Sequence, residues 1–449
     1  MSGLRLFYFI LIGQSLSLLG STLTNFALGV WAYKTGGSVT NFTLIAVAST
    51  LPGILLGPVI GSLIDRWDRK RILFFAQLGS SLVTGTLALL YWSHVLQIWH
   101  VIAVVPLASI FSTVLQVGFT SMIAVMVPRE SLSRANGSLG LVFGVVQLSG
   151  PVLAGVTLDK IGMNGIFIID LVSYGIGLLT LAAVSLPSFP RKSAEENHSL
   201  WHDIAEAYRF LKSKPGVLGG LYIFTLIWFN VSAVQVLILP LVLSIGTSTD
   251  LGFIQSMAGV GTLIGGILMV AWKGPERKVF GILSASVVIA CVLIVMPIPL
   301  HISWLAGCAV VIMIAAPVAT VCSQTLWQRK VPAHFHGRAF SLRNTIMKAA
   351  QPAAFLVSGI LADHVFNPLM LDGTTLAHFL GPVWGTGKGR GVALMISLFG
   401  VLSLMMVAIA WLNPAIRRAD IDLPDENLPT DSQNPQAPDN LEGNGQHSL

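Results

Sequence analysis

The strongest constraint on this chain is where it carries no charge. Across residues 72–128, and again across 279–328, there is no Asp, Glu, Lys or Arg. Each interval has room for two helices crossing a bilayer, since one crossing takes about 20 apolar residues. Other uncharged stretches run 6–33, 35–64, 135–158, 171–190, 215–249, 251–272 and 391–416. A soluble helix would set charge on its outward face. Here charge falls almost only between the hydrophobic stretches, so the solvent of this chain is lipid. The 44 glycines fit the same setting, because small residues let membrane helices approach closely.

The pattern predicts an all-α integral membrane fold of about twelve transmembrane helices. They run approximately 6–32, 41–62, 72–92, 99–127, 137–158, 165–186, 217–243, 251–271, 280–296, 303–327, 338–361 and 392–411. Arg5 precedes a run far longer than a signal-peptide core, so 6–33 reads as the first span and not as a cleaved leader. Residues 1–188 form one six-helix bundle and 217–413 a second. A charged linker, 189–216, lies between them, and its stretch 201–212 has the apolar spacing of a surface helix. The polar tail 414–449 lacks an apolar period and is expected to be disordered. With the amino terminus in the cytoplasm, all but five of the 26 Lys and Arg fall on the inner face; the five are Lys34, Lys160, Lys348, Lys388 and Arg390. By the positive-inside rule both termini are cytoplasmic. The net charge of +6 is therefore an orientation signal and not a nucleic-acid footprint.

The two bundles repeat each other. Val127-Pro128 and Arg134-Ala135 precede the fifth span; Val331-Pro332 and Arg338-Ala339 precede the eleventh. The same offset aligns Gln147 with Gln351, Gly155 with Gly359 and Asp159 with Asp363. An even number of spans per copy makes the repeat parallel, with a substrate site expected near the midplane between the copies.

Between the second and third spans stands Gly61-Ser-Leu-Ile-Asp65-Arg66-Trp-Asp68-Arg69-Lys70-Arg71. This loop resembles the signature of the major facilitator superfamily, with Asp68 where many members carry Gly. The resemblance extends over nearly the whole chain and is nearest to the macrolide efflux and enterobactin exporter subgroup. Residues 131–136, Ile168-Ile169-Asp170, 337–341 and 362–391 carry it. It implies two pseudo-symmetric six-helix bundles. It also implies a cytoplasmic gate in which Gly61 permits close packing and Asp65 faces the start of the eleventh span, with Arg66, Arg69 and Arg71 beside it. In the fifth span, Gly150-Pro151-Val-Leu-Ala154-Gly155 resembles the glycine-proline element of the family's antiporters and points to export. The Arg that many proton-coupled exporters carry in the fourth span is missing from Ser112–Gly118, so coupling through that residue is not available.

Lys348 is the sharpest single candidate. It lies roughly 15 Å into the eleventh span at 1.5 Å per residue, a depth where a charge is a functional hypothesis by default. Arg343, nearer the inner face, is expected to snorkel. Asp170 is the nearest thing to an intramembrane acid, read either as a coupling group or as a contact at a helix start. By resemblance, spans 1, 4, 7 and 10 line the cavity, which makes Asn25, Gln116, Asn230 and Gln324 path candidates. Gln147 and Gln351 join them as a repeat-related pair. So few charges favour a neutral or amphipathic ligand.

No phosphate-binding glycine loop, metal-ligand spacing or catalytic cluster stands out, so no enzyme, cofactor or metal is expected. The expected function is export of a small amphipathic compound, such as a drug, macrolide, siderophore or peptide product. It would proceed by alternating access in a bacterial inner membrane, through a monomer exchanging substrate for protons. A lysophospholipid flippase of the same fold and a non-transporting membrane receptor are the alternatives.

Overall fold

In the computed structural model, the described residues are 3–127, 131–183, 206, 208–209, 211–212, 214–272, 274–332, 336–387 and 389–422. They include eleven helices long and apolar enough to cross a membrane. One of these, Leu132–Ala182, has 51 residues. Straight, it would be about 76 Å long, more than twice the ~30 Å hydrocarbon core. It is broken at Gly162, whose φ of 68° and ψ of −170° are non-helical. That left-handed φ suits a residue without a Cβ. Its two arms are the fifth and sixth spans, so the twelve expected crossings are present with almost no loop between these two.

The other spans are Gly3–Gly36, Val39–Arg66, Arg69–Trp92 and Ile98–Met126 in the first half. The second half has Pro215–Leu243, Ser248–Trp272, Lys278–Val295, Ile302–Lys330, His336–Leu361 and Arg390–Leu412. The eleventh span continues into a π-turn, Ala362–Phe366. A short helix, Thr375–Trp384, precedes the last span and leaves Phe379 and Val383 exposed. Prolines 106, 151, 240, 317 and 352 sit inside spans. Neighbouring helices make such breaks tolerable in a membrane.

Asp68 explains its own departure from the family pattern. It is the N-cap of the third span, accepting a hydrogen bond of 2.9 Å from the Arg71 backbone N–H. A carboxylate there satisfies an otherwise unpaired helix-start donor. Glycine would leave the donor to solvent.

The bundle has a terminal end, where both described chain termini lie, and a far end. The halves meet through spans 2 and 11 and through spans 5 and 8. On the second seam the backbones nearly touch. A methyl on Gly252 would strike the Pro151 carbonyl, and one on Gly259 would lie 3.2 Å from the Leu148 Cα. Dispersion over such close contacts, more than hydrophobicity, holds helices together in lipid. The 189–216 linker and the tail beyond residue 422 lie largely outside the described residues. Within the linker, Glu206 pairs with Arg338 at 2.8 Å.

Candidate functional site

A cavity of about 700 Å³ opens within the first half. Its wall is built by one face of span 1 (Gln14, Ser17, Ser21, Asn25, Leu28) and one face of span 4 (Ser109, Thr113, Gln116, Thr120). Each set recurs at three- and four-residue intervals, the spacing of a single helix face. Span 2 adds Phe42, Ser49 and Thr50, and span 3 adds Ser80 and Thr84. Among the described residues of the second half, only Lys348 and Gln351, both on span 11, reach the wall. The surface thus combines hydroxyls and amides with apolar side chains such as Phe119 and Phe143.

Asp170 lies at the back of this cavity, with no exposed surface. Its Oδ2 accepts from the Thr24 hydroxyl at 2.7 Å and the Thr84 hydroxyl at 3.2 Å. Its Oδ1 has no partner among the described residues. One turn along, the Tyr174 hydroxyl bonds Ser21 at 2.8 Å. Asp170 therefore ties spans 1, 3 and 6 together from well inside its helix, which removes the reading of a helix-start contact.

Two further carboxylates stand at the far end. Asp159, closing the fifth span, accepts from the Thr249 N–H at 2.9 Å and the Thr249 hydroxyl at 2.7 Å, at the start of span 8. Asp363, closing the eleventh, accepts from the Ser38 hydroxyl at 2.6 Å and from the N–H groups of Val39 and Thr40 at 3.1 and 2.7 Å, at the start of span 2. Each carboxylate meets the positive end of a helix in the other half. One turn earlier, the repeat-related glycines make the approach possible. A methyl on Gly155 would strike the Ser248 carbonyl, and one on Gly359 would strike the Thr43 hydroxyl. The Lys34 ammonium also reaches Ser248 at 3.4 Å, and the Val152 N–H, one residue past Pro151, bonds the Ser256 hydroxyl at 3.1 Å.

The sequence candidates divide accordingly. Lys348, Asp170, Gln351, Asn25 and Gln116 share the cavity. Gln147 does not join its repeat partner: it is exposed, and its backbone carbonyl lies against Gly259. Asn230 is buried and donates to Ser403 at 3.0 Å, an interhelical tie away from the cavity wall. Gln324 is exposed outside the wall. Arg343 does not snorkel. It is buried, donates to Ser323 at 3.0 Å and lies over the Trp327 ring at 5.5 Å. Gly150 packs on Thr22, and Ala154 is fully buried. A methyl on Gly61 would have no neighbour within 4 Å among the described residues, so the close packing expected there has no partner among them. Arg71 is exposed, while the side chains of Asp65, Arg66 and Arg69 lie outside the described residues.

A family model described as Major Facilitator Superfamily matches residues 10–355. The chain belongs to that superfamily. It is a multi-pass membrane transporter, and its curated relatives include efflux pumps. Macrolide efflux protein A of Streptococcus pyogenes is 25% identical over 384 residues, covering 82% of this chain and 93% of the relative. Multidrug efflux pump Tap of Mycobacterium tuberculosis is 25% identical over 404 residues, covering 86% and 90%. Among solved structures, an auto-inhibited peptide transporter of the POT family aligns with a TM-score of 0.67 at 11% identity, over 95% of this chain and 99% of that one. A bacterial homologue of the iron transporter ferroportin, in an inward-facing state, aligns with a TM-score of 0.63 at 16% identity, over 91% and 99%. At such identities these structures speak to the fold alone.

Proposed function

We propose that this chain exports small amphipathic compounds across a bacterial inner membrane by alternating access, exchanging them for protons, as a monomer with both termini in the cytoplasm. One observation carries the reading: a ligand-sized cavity lies beneath a far end fastened by two repeat-related carboxylate contacts. Each joins one half to the other, and each can be released without unfolding a helix. On this orientation the far end is the outer face, and the cavity awaits cargo from the inner side. The efflux relatives support the direction.

Asp170 is the proton-carrying group in this reading. It is a carboxyl in the cavity wall, its Oδ1 lacks a partner among the described residues, and Thr24, Thr84 and the Tyr174–Ser21 pair are close enough to pass on its protonation state. Asp170→Asn keeps the shape and the acceptor for Thr24 while removing the exchangeable proton. In everted vesicles with a fluorescent amphiphile added outside, an imposed pH gradient should drive uptake by the native protein. Asp170→Asn should abolish the gradient dependence and leave counterflow exchange in place. Native uptake indifferent to the gradient would defeat proton exchange, and absence of any flux would defeat export.

A further inference from the structure

The cavity wall has a one-sided charge. Lys348 presents an exposed side chain into it, and no acidic group pairs with that ammonium among the described residues. The other charged residue of the wall, Asp170, is turned away from a ligand. It has no exposed surface, its Oδ2 is held by two threonines, and a methyl on Gly20 of span 1 would sit 2.8 Å from its Oδ1. Among the described residues, a ligand in the cavity therefore meets one cation and no accessible anion. Gln351 lies three residues beyond Lys348, on the same side of the helix, and offers an amide N–H₂ beside the ammonium. Across the cavity, Gln116 and Thr120 supply further hydrogen-bonding groups, and Phe119 and Phe143 supply apolar surface.

We propose that the cavity selects amphiphiles carrying an oxyanion, a carboxylate or sulfonate on an apolar body, with Lys348 as the counter-charge and Gln351 as its second donor. The inference rests on the cavity being the substrate site. The physical ground is desolvation. An unpaired ammonium at membrane depth is costly and persists there because the cavity is wet. A cationic ligand would displace that water and add repulsion. An acidic ligand replaces the water with a charge-assisted hydrogen bond, roughly twice as strong as a neutral one.

The test is equilibrium binding to the full chain in nanodiscs of zwitterionic lipid, which needs no transport. Two dansyl-labelled acids serve as probes: a long-chain one, dansylaminoundecanoic acid, and a compact one, dansylphenylalanine. Each is compared with the amine of the same body. Native protein should bind at least one acid about tenfold more tightly than its matched amine, a difference of about 1.4 kcal/mol. Lys348→Arg should keep the preference, Lys348→Gln should erase it, and Lys348→Glu should invert it, with unchanged melting in every case. Preference for the long acid alone assigns a lipid-like substrate, and for the compact acid a soluble one. Equal or tighter binding of the amines, binding of neither acid, or a preference that survives Lys348→Gln overturns the proposal. An acid that binds but is never moved in vesicles leaves this inference standing and removes the exporter reading. Amine export independent of Lys348 does the reverse.

Discussion

Asp159 and Asp363 occupy the same place in the two copies of the repeat, yet they hold their partners differently. Asp159 is exposed and, among the described residues, engages one, Thr249. Asp363 is half-buried and gathers three donors from Ser38, Val39 and Thr40, while the Thr40 hydroxyl donates to the Gly359 carbonyl at 2.9 Å. Water competes for the first contact and is largely kept from the second. Duplication thus supplies two fasteners of one design, and local burial makes one of them stronger. The far end should open first along the seam of spans 5 and 8, with spans 2 and 11 giving way after it.

The comparison breaks most visibly at the glycines. Gly155→Val sets a side chain against the Ser248 carbonyl and the Thr249 Cα, backbone that cannot step aside. In a cysteine-free background with Ser49→Cys as reporter, outside alkylation should become rapid and transport should fall to background, with insertion unchanged. Protection as in the native protein would show that this seam need not close. Asp363→Ala should act next. Losing hydrogen bonds to a charged group costs about 2 kcal/mol, which moves the closed-to-open ratio roughly thirtyfold toward open on the same reporter. Asp159→Ala should shift it no more than about fivefold, as expected of an exposed contact. Equal effects of the two alanines would erase the distinction. A smaller contrast separates Arg343 from Lys348: Arg343→Ala should lower the melting temperature in detergent by several degrees, and Lys348→Ala should not move it measurably.

Much of this architecture is legible in the chain itself, because the bilayer punishes charge and leaves the spans as gaps between charged residues. The repeat is legible too, and its matched Gly155/Gly359 and Asp159/Asp363 pairs prove to be the far-end fasteners. What hydropathy cannot tell is which side of a span faces protein and which faces lipid, since both are apolar. Asn230 therefore looks like a path residue until Ser403 is found beside it, 173 positions away. Gln147 and Gln351 look equivalent until only one reaches the cavity. The polar spacings Gln14–Ser21–Asn25 and Ser109–Thr113–Gln116–Thr120 held the missing signal: a hydroxyl and amide face on a membrane helix has few reasons to exist except water or a ligand. Arg343 and Lys348 lie about 7.5 Å apart in depth and differ wholly in surroundings, which aromatic neighbours decide and periodicity does not.

The lopsided wall also bears on how cargo travels. Among the described residues, nearly every lining side chain belongs to one bundle, and the other lends only a pair of residues from a single rod. A passenger bound there would keep its seat while the opposite bundle swings past it like a shutter. Release then depends on withdrawing that one rod, so the grip on the molecule and the change of side become the same motion.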